Sequence, residues 1–215
     1  MLASKLETFL NSEENLQGSE VRYITDKVSW QYYETLLTQL EDSLEFRLTY
    51  LDGILEVMSP SRNHESIKTR IGDLLLIYFL ETDTEYYPTG SMTLRNPEQR
   101  GGTEPDESYC IGINKEIPDL AIEVVITSGG INRLEVYQRL GVREVWFWQN
   151  NQFLVYHFRS ENFAQFQQTS GYELINSSEL LPHLDLAVLA ESVQHPNPLM
   201  AAKTFRQTLN QPKKW

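Results

Sequence analysis

The sequence predicts an α/β domain: a mixed β-sheet flanked by helices, with an N-terminal β-hairpin and C-terminal helices. Three observations predict it. A period-two stretch around Asp52-Gly53 gives way to a helical period after Pro60. The apolar run from Leu120 to Ile126 is interrupted only by Glu123, which suits a central strand buried on both faces. Strand, helix and strand then follow within residues 119–148, the pattern of a crossover between parallel strands. At 215 residues, 40% hydrophobic and 22% charged, the chain suits one domain with appendages and excludes disordered and fibrous classes.

Element by element, residues 1 to about 26 are polar and weakly patterned, and read as a frayed helix or arm. Ser29 is a natural N-cap for a helix carrying Trp30, Tyr33, Leu36, Leu37 and Leu40 at helical spacing. From Glu45 the period becomes two, Asp52-Gly53 is a hairpin turn, and Ile54 to Met58 is the return strand. Ser59-Pro60-Ser61 ends that strand. Ile67, Ile71, Leu74, Leu75 and Tyr78 share one face of a long helix, about residues 62–82. Tyr86 to Leu94 reads as one or two strands broken near Pro88-Thr89-Gly90, Arg95 to Thr103 as a glycine-containing loop, and Ser108 to Ile111 as a short strand. Ser128-Gly129-Gly130 opens a helix bearing Leu134, Tyr137 and Leu140, which Gly141 closes. Glu144 to Trp148 and Phe153 to Phe158 form a second hairpin, and Gly171 to Ser177 a last strand and turn. Helices at Leu184 to Val193 and Leu199 to Leu209 complete the chain. The partition is an arm (1–27), a main domain (28–193) and a helical tail (194–215).

Charge limits the partners. Eighteen basic against thirty acidic residues leave a net −12, which repels polyanions and opposes broad coating of nucleic acid or anionic membrane. A local site that grips phosphate through a metal is still compatible with it. The single cysteine, Cys110, excludes an internal disulfide and a cysteine-based zinc site. Lys5 and Glu7 interrupt the first ten residues, so no signal peptide is expected, and the seven-residue apolar run Leu74 to Leu80 is far below the roughly 20 a membrane span needs. A cytoplasmic address and no membrane partner are the expectation.

The chemistry starts from Glu123. Burying an unpaired carboxylate in an apolar strand is expensive, so this side chain needs either a structural partner, such as a buried Arg or backbone amides, or a metal. Asp106, in Glu104-Pro105-Asp106, leads a short strand; by itself a Pro-Asp pair more often makes a turn. Together they say more. An Asp at one strand's start and a Glu inside the next, 17 residues on, can converge on one cation. Mg²⁺ commonly takes one or two carboxylates, with water and substrate phosphate filling its shell. Such an ion activates water and stabilises charge on a phosphoryl oxygen, the chemistry of phosphodiester hydrolysis.

Further motifs lie in Leu51-Asp52-Gly53-Ile54-Leu55-Glu56-Val57-Met58-Ser59-Pro60-Ser61, then His64, then Glu104-Pro105-Asp106-Glu107-Ser108-Tyr109. They continue through Pro118-Asp119-Leu120-Ala121-Ile122-Glu123-Val124-Val125 to Gly141-Val142-Arg143-Glu144-Val145-Trp146. In order and spacing this series resembles the PD-(D/E)XK nuclease superfamily, and more narrowly the "Uma-two" bacterial family, over roughly residues 28–190. The resemblance implies a restriction-endonuclease-like fold and a Mg²⁺- or Mn²⁺-dependent endonuclease acting on DNA. It implies Asp106 and Glu123 as metal ligands, joined by the backbone carbonyl of Val124. The superfamily's lysine, two residues after the Glu, is Val125 here. The family supplies its basic group from the following helix, four residues before a Tyr; that position is Arg133, ahead of Tyr137, where members often carry Lys.

Arg stabilises phosphate but is a poor general base, so Arg133 implies electrostatics without proton transfer; its bland alternative is a surface helix cation. Glu65 is a third carboxylate on the superfamily's first-helix position, although a first-turn Glu favoured by the helix dipole is the simpler reading. His64 shares a face with Ile67 and Ile71 and reads as a hydrogen-bonded core-edge histidine. No phosphate-binding Gly-Lys-Ser/Thr loop and no Gly-x-Ser-x-Gly elbow occurs. Trp146, Phe147 and Trp148 alternate across a strand and read as core packing before base stacking. The aromatic hairpin from Glu144 to Phe158 makes a homodimer plausible. The alternative to a nuclease is a catalytically weak or inactive binding or assembly module.

Overall fold

The computed structural model describes residues 6, 8, 9, 20–40, 45–127 and 129–210. The α/β architecture is as expected, with one change: the strands form two sheets rather than one. The first, in spatial order, is β1 (Val21–Thr25), β3 (Ile54–Ser59), β2 (Arg47–Leu51), β6 (Gly101–Thr103) and β5 (Leu94–Asn96). The second is β11 (Tyr172–Ile175), β10 (Gln152–Phe158), β9 (Glu144–Gln149), β8 (Leu120–Val124), β7 (Glu107–Ile111) and β4 (Tyr86–Pro88). Glu104 and Pro105 carry the chain from β6 to β7, so Asp106 stands where one sheet hands over to the other.

The β2–β3 hairpin turns at Asp52 and Gly53, both with positive φ (46° and 94°). The pairing of β8 with β9 is parallel, aligning Glu123 with Phe147, as a crossover through the intervening helix requires. That helix, α3 (Arg133–Leu140), is capped by the Asn132 side chain and stops at Gly141, whose φ is 82°. Before it come α1 (Trp30–Leu40) and α2 (Arg62–Glu81); after it come α4 (Leu186–Gln194) and α5 (Pro198–Leu209). The Ser128 part of the expected helix entry lies outside the described residues.

Three apolar clusters follow from these layers. On one face of the second sheet, Trp146, Trp148 and Val155 pack with Ile71, Leu74, Tyr78 of α2 and with Leu189 and Phe205 of the terminal helices. On the other, Ala121 and Val145 pack with Val136, Tyr137 and Leu140 of α3. The first sheet buries Leu48, Tyr50, Leu55 and Val57 against Tyr33 and Leu36 of α1. Alternation along β9 thus puts Trp146 and Trp148 inside, as expected, and turns Phe147 to the α3 side. The hairpin surface on which the homodimer expectation rested is therefore largely enclosed within one chain.

Two local expectations are corrected. Val21–Thr25 is not an arm but an edge strand, antiparallel to β3 from Val21↔Ser59 to Thr25↔Leu55. Residues 95–103 are not a loop: Leu94–Asn96 and Gly101–Thr103 pair as a hairpin beside β2. The glycines there are not turn formers but small residues under pressure. A Cβ on Gly102 would sit 2.5 Å from Tyr33 Oη, so only glycine lets α1 lie this close to the sheet.

Candidate functional site

Asp106 is built into the sheet junction and almost wholly buried. Its Oδ2 accepts the N–H of Val124 at 2.7 Å, and its Oδ1 meets Nε2 of His64 at 2.8 Å. His64 lies in the first turn of α2, where Ser61 caps the helix. Its other ring nitrogen meets Glu20 Oε2 at 2.8 Å, so the imidazole is clamped between two carboxylates. Burial alone would depress its pKa, but the hydrogen bonds and charges of Asp106 and Glu20 push it up to about 9. Burial would raise Glu20 in turn, but His64, Thr127 and Arg22 bring it down to about 2. The imidazolium is the stable form at neutral pH.

Glu123 stands on the next strand, buried, with its Oε1 accepting the Tyr137 hydroxyl at 2.5 Å. Among the described residues this is its one hydrogen bond, and no cation pairs with it directly. Burial raises its pKa first; the charge of Arg133 pulls the other way, and that of Asp106 adds to the rise, leaving it near 7. The contrast with Glu144 is instructive. That equally buried carboxylate receives bonds from Trp146 Nε1, Ser178 Oγ and the Glu179 N–H, and meets His157 Nδ1. Glu144 is satisfied by the fold, whereas Glu123 is satisfied only in part.

Arg133 opens α3, but not as a surface cation: its side chain is 13% exposed. Nη2 binds Glu56 Oε1 at 2.6 Å and Nη1 binds Thr103 Oγ1 at 2.8 Å, which itself meets Thr49 Oγ1 at 2.8 Å. Glu56, fully buried in β3, also takes Arg22 Nη1 at 3.4 Å and the Ile131 N–H at 3.0 Å. The first sheet therefore grips the guanidinium through Glu56 and Thr103, and Arg133 and Glu123 sense each other's charge across the cavity.

That cavity, about 280 Å³, is lined by Glu123, Val124, Arg133, Asn132, Phe147 and Tyr156, among others. Of the sequence-expected residues, the fold brings Asp106, Glu123, Val124 and Arg133 together. Glu65 is elsewhere: its side chain, 39% exposed, pairs with Lys68 at 2.5 Å and Arg47 at 3.9 Å. His64 is the hydrogen-bonded histidine expected, but its partner is Asp106 itself. Glu56 and Tyr137 complete the arrangement. Glu56 was legible by the reasoning that found Glu123, since it too is a lone charge in an apolar strand.

A family model matches residues 30–189, most of the chain. The protein belongs to the Uma2 family. That family is described as "Putative restriction endonuclease", which supports a nuclease-like function here. No curated protein matches the chain. In this Uma2 member Glu123 lines the cavity, and Asp106 lies behind it, bonded to His64 and to the Val124 N–H. Among the described residues, no three His, Cys, Asp or Glu side chains form a ready-made metal cluster, and no helix is long and apolar enough to cross a membrane.

Proposed function

We propose that the cavity is the active site of a Mg²⁺- or Mn²⁺-dependent endonuclease that hydrolyses DNA phosphodiester bonds. One observation carries this reading: Glu123 is a buried carboxylate on a cavity wall, held by a single hydrogen bond and electrostatically opposed by Asp106. A fold that raises a carboxyl in this way, while leaving it open to a cavity, is poised for a cation. The donor set suits a hard ion with a partly hydrated shell and not zinc: two carboxylates, with a backbone carbonyl as the third oxygen. Asp106, Glu123 and the carbonyl of Val124 would hold it. When bound, the ion supplies an activated water and a neutralised phosphoryl oxygen.

The remaining work belongs to the protein's own groups. His64 and the Val124 N–H each use one lone pair of an Asp106 oxygen, fixing the carboxylate's plane while leaving lone pairs for a ligand. Tyr137 does the same for Glu123. Arg133, kept charged and fixed by Glu56 and Thr103, presents positive charge to a phosphate oxygen but does not take the water's proton. DNA is the substrate this site suits, and two copies of the chain could set two such sites on opposite strands.

Nicking of supercoiled plasmid in Mg²⁺ or Mn²⁺ tests this. Glu123→Gln should abolish cleavage while the fold is retained. Arg133→Ala should slow it by about 10²–10³-fold, as loss of one charge-stabilising contact does. Wild type that is silent on both supercoiled and single-stranded DNA would overturn the proposal in favour of a binding module, a reading that the net −12 and the apolar Val125 favour.

A further inference from the structure

The cavity extends well beyond Glu123, and its far wall is of a different character. Glu123, Phe147 and Leu154 form one row across β8, β9 and β10, all on the face that carries α3. α3 covers the start of that face, where Ala121 and Val145 lie, but begins only at Arg133 and leaves the row open at its side. Phe147 and Tyr156 stand there half-buried, their rings 5.8 Å apart at 82°. Met58 and Ile131 close the apolar part. At the rim sits Gln149, also half-buried, whose carboxamide has no hydrogen-bond partner among the described residues. The Tyr156 hydroxyl has none there either.

Half-buried aromatic rings and open amide and hydroxyl groups, in one cavity with a phosphate-directed Arg, have a specific complement. Aromatic faces take a flat π-system, and an unpartnered amide takes the donor–acceptor edge of one. We infer that this cavity is a subsite for one unstacked nucleobase of the strand being cut, held against Phe147 with its edge read by Gln149. The inference rests on the nuclease reading for the neighbouring phosphate and names the substrate class more closely. A base can reach this wall only if it leaves its stack, so the preferred substrate is single-stranded or locally unpaired DNA. Removing a base from a duplex costs a few kcal/mol, least where pairing is already broken. A strongly anionic protein gains from such a subsite, because affinity drawn from stacking does not depend on neutralising many phosphates.

The test uses the full chain and two oligonucleotides of one sequence, single-stranded, one intact and one lacking a single central base. Dissociation constants come from fluorescence anisotropy in EDTA, and cleavage is followed separately in Mn²⁺. The intact strand should bind wild type at least fivefold more tightly than the abasic strand, in line with about 1–3 kcal/mol per stacked base. Phe147→Ala should lose that preference, binding both strands equally, and Phe147→Trp should restore it. Gln149→Ala, at the strand end and harmless to packing, should keep the preference for a base but level discrimination between bases. If wild type cuts both strands equally and Phe147→Ala changes neither affinity, the subsite is refuted and the nuclease reading stands. If the base preference appears without cleavage, the subsite stands and the nuclease reading falls. If no strand is bound or cut, both fall.

Discussion

Two buried ionic centres set what individual residues can tolerate. Glu56 pairs with Arg133 and Arg22 with no exposure to solvent, so Glu56→Ala takes from Arg133 its paired carboxylate, while Arg22 keeps Glu20. Removal of one partner from a buried pair commonly costs about 3–5 kcal/mol. Urea unfolding should show a loss of that size, and a change below 1 kcal/mol would mean water replaces the carboxylate. His64 adds a pH signature. Its folded pKa of about 9 lies above the unfolded 6.5, so its contribution is complete below pH 6.5 and disappears as pH rises through 9. Glu123, raised towards 7 from 4.5, acts in the same direction over a lower window. In EDTA, stability should fall in two stages between about pH 4.5 and 9. His64→Gln should flatten the upper stage and Glu123→Gln the lower. Divalent metal should shrink the lower stage, because a bound cation favours the ionised carboxylate.

At the scale of elements, the placement of the site depends on strands whose own sequences are unpersuasive. β1 is a short edge strand, yet it holds Arg22 against Glu56 and sets Glu20, just before it, against His64. Deleting residues 1–25 should therefore lower the melting temperature by several degrees and weaken cleavage; an unchanged melting curve would return this segment to the status of an arm. β6 is legible only through its neighbour. Gly102→Ala would force a methyl into the Tyr33 ring, whose Cε1 and Cζ lie 2.9 Å from the ideal Cβ. Overpacking of this kind costs about 1–3 kcal/mol. Denaturant titration should find it, and a double change with Tyr33→Leu should recover most of the loss.

Across the whole molecule, net −12 and a site meant for phosphate must coexist. The fold keeps its cationic groups at the site few and local: Arg22 and Arg133 both line the cavity, and each is paired with Glu56. Few phosphates are then neutralised on binding, so the dependence of affinity on salt should be shallow. A logarithmic slope near −1 to −2 is expected for single strands, against the much steeper slope of a protein gripping many phosphates. Anisotropy titrations between low and physiological salt measure this, and a steep slope would indicate an extended basic track instead.

The sequence by itself determined the α/β class, the hairpin at Asp52-Gly53, the long helix after Ser61, and the exceptional status of Glu123. Each is a local matter: periodicity, turn chemistry, or a charge placed where its neighbours are apolar. It also carried the motif series through which the family resemblance is read. Tertiary structure alone decided the rest. Whether 101–103 is strand or loop depended on Tyr33, about 70 residues earlier, needing a surface without side chains. That Glu65 pairs with Lys68 and Arg47 while His64 reaches Asp106 turned on the rotation of one helix, which no i-to-i+4 pattern specifies to within a residue. The partnership of Glu56 with Arg133 spans 77 positions and joins the first sheet to α3. Such pairings form because desolvated charges must find one another once the chain is compact, and compaction is a property of all the layers together.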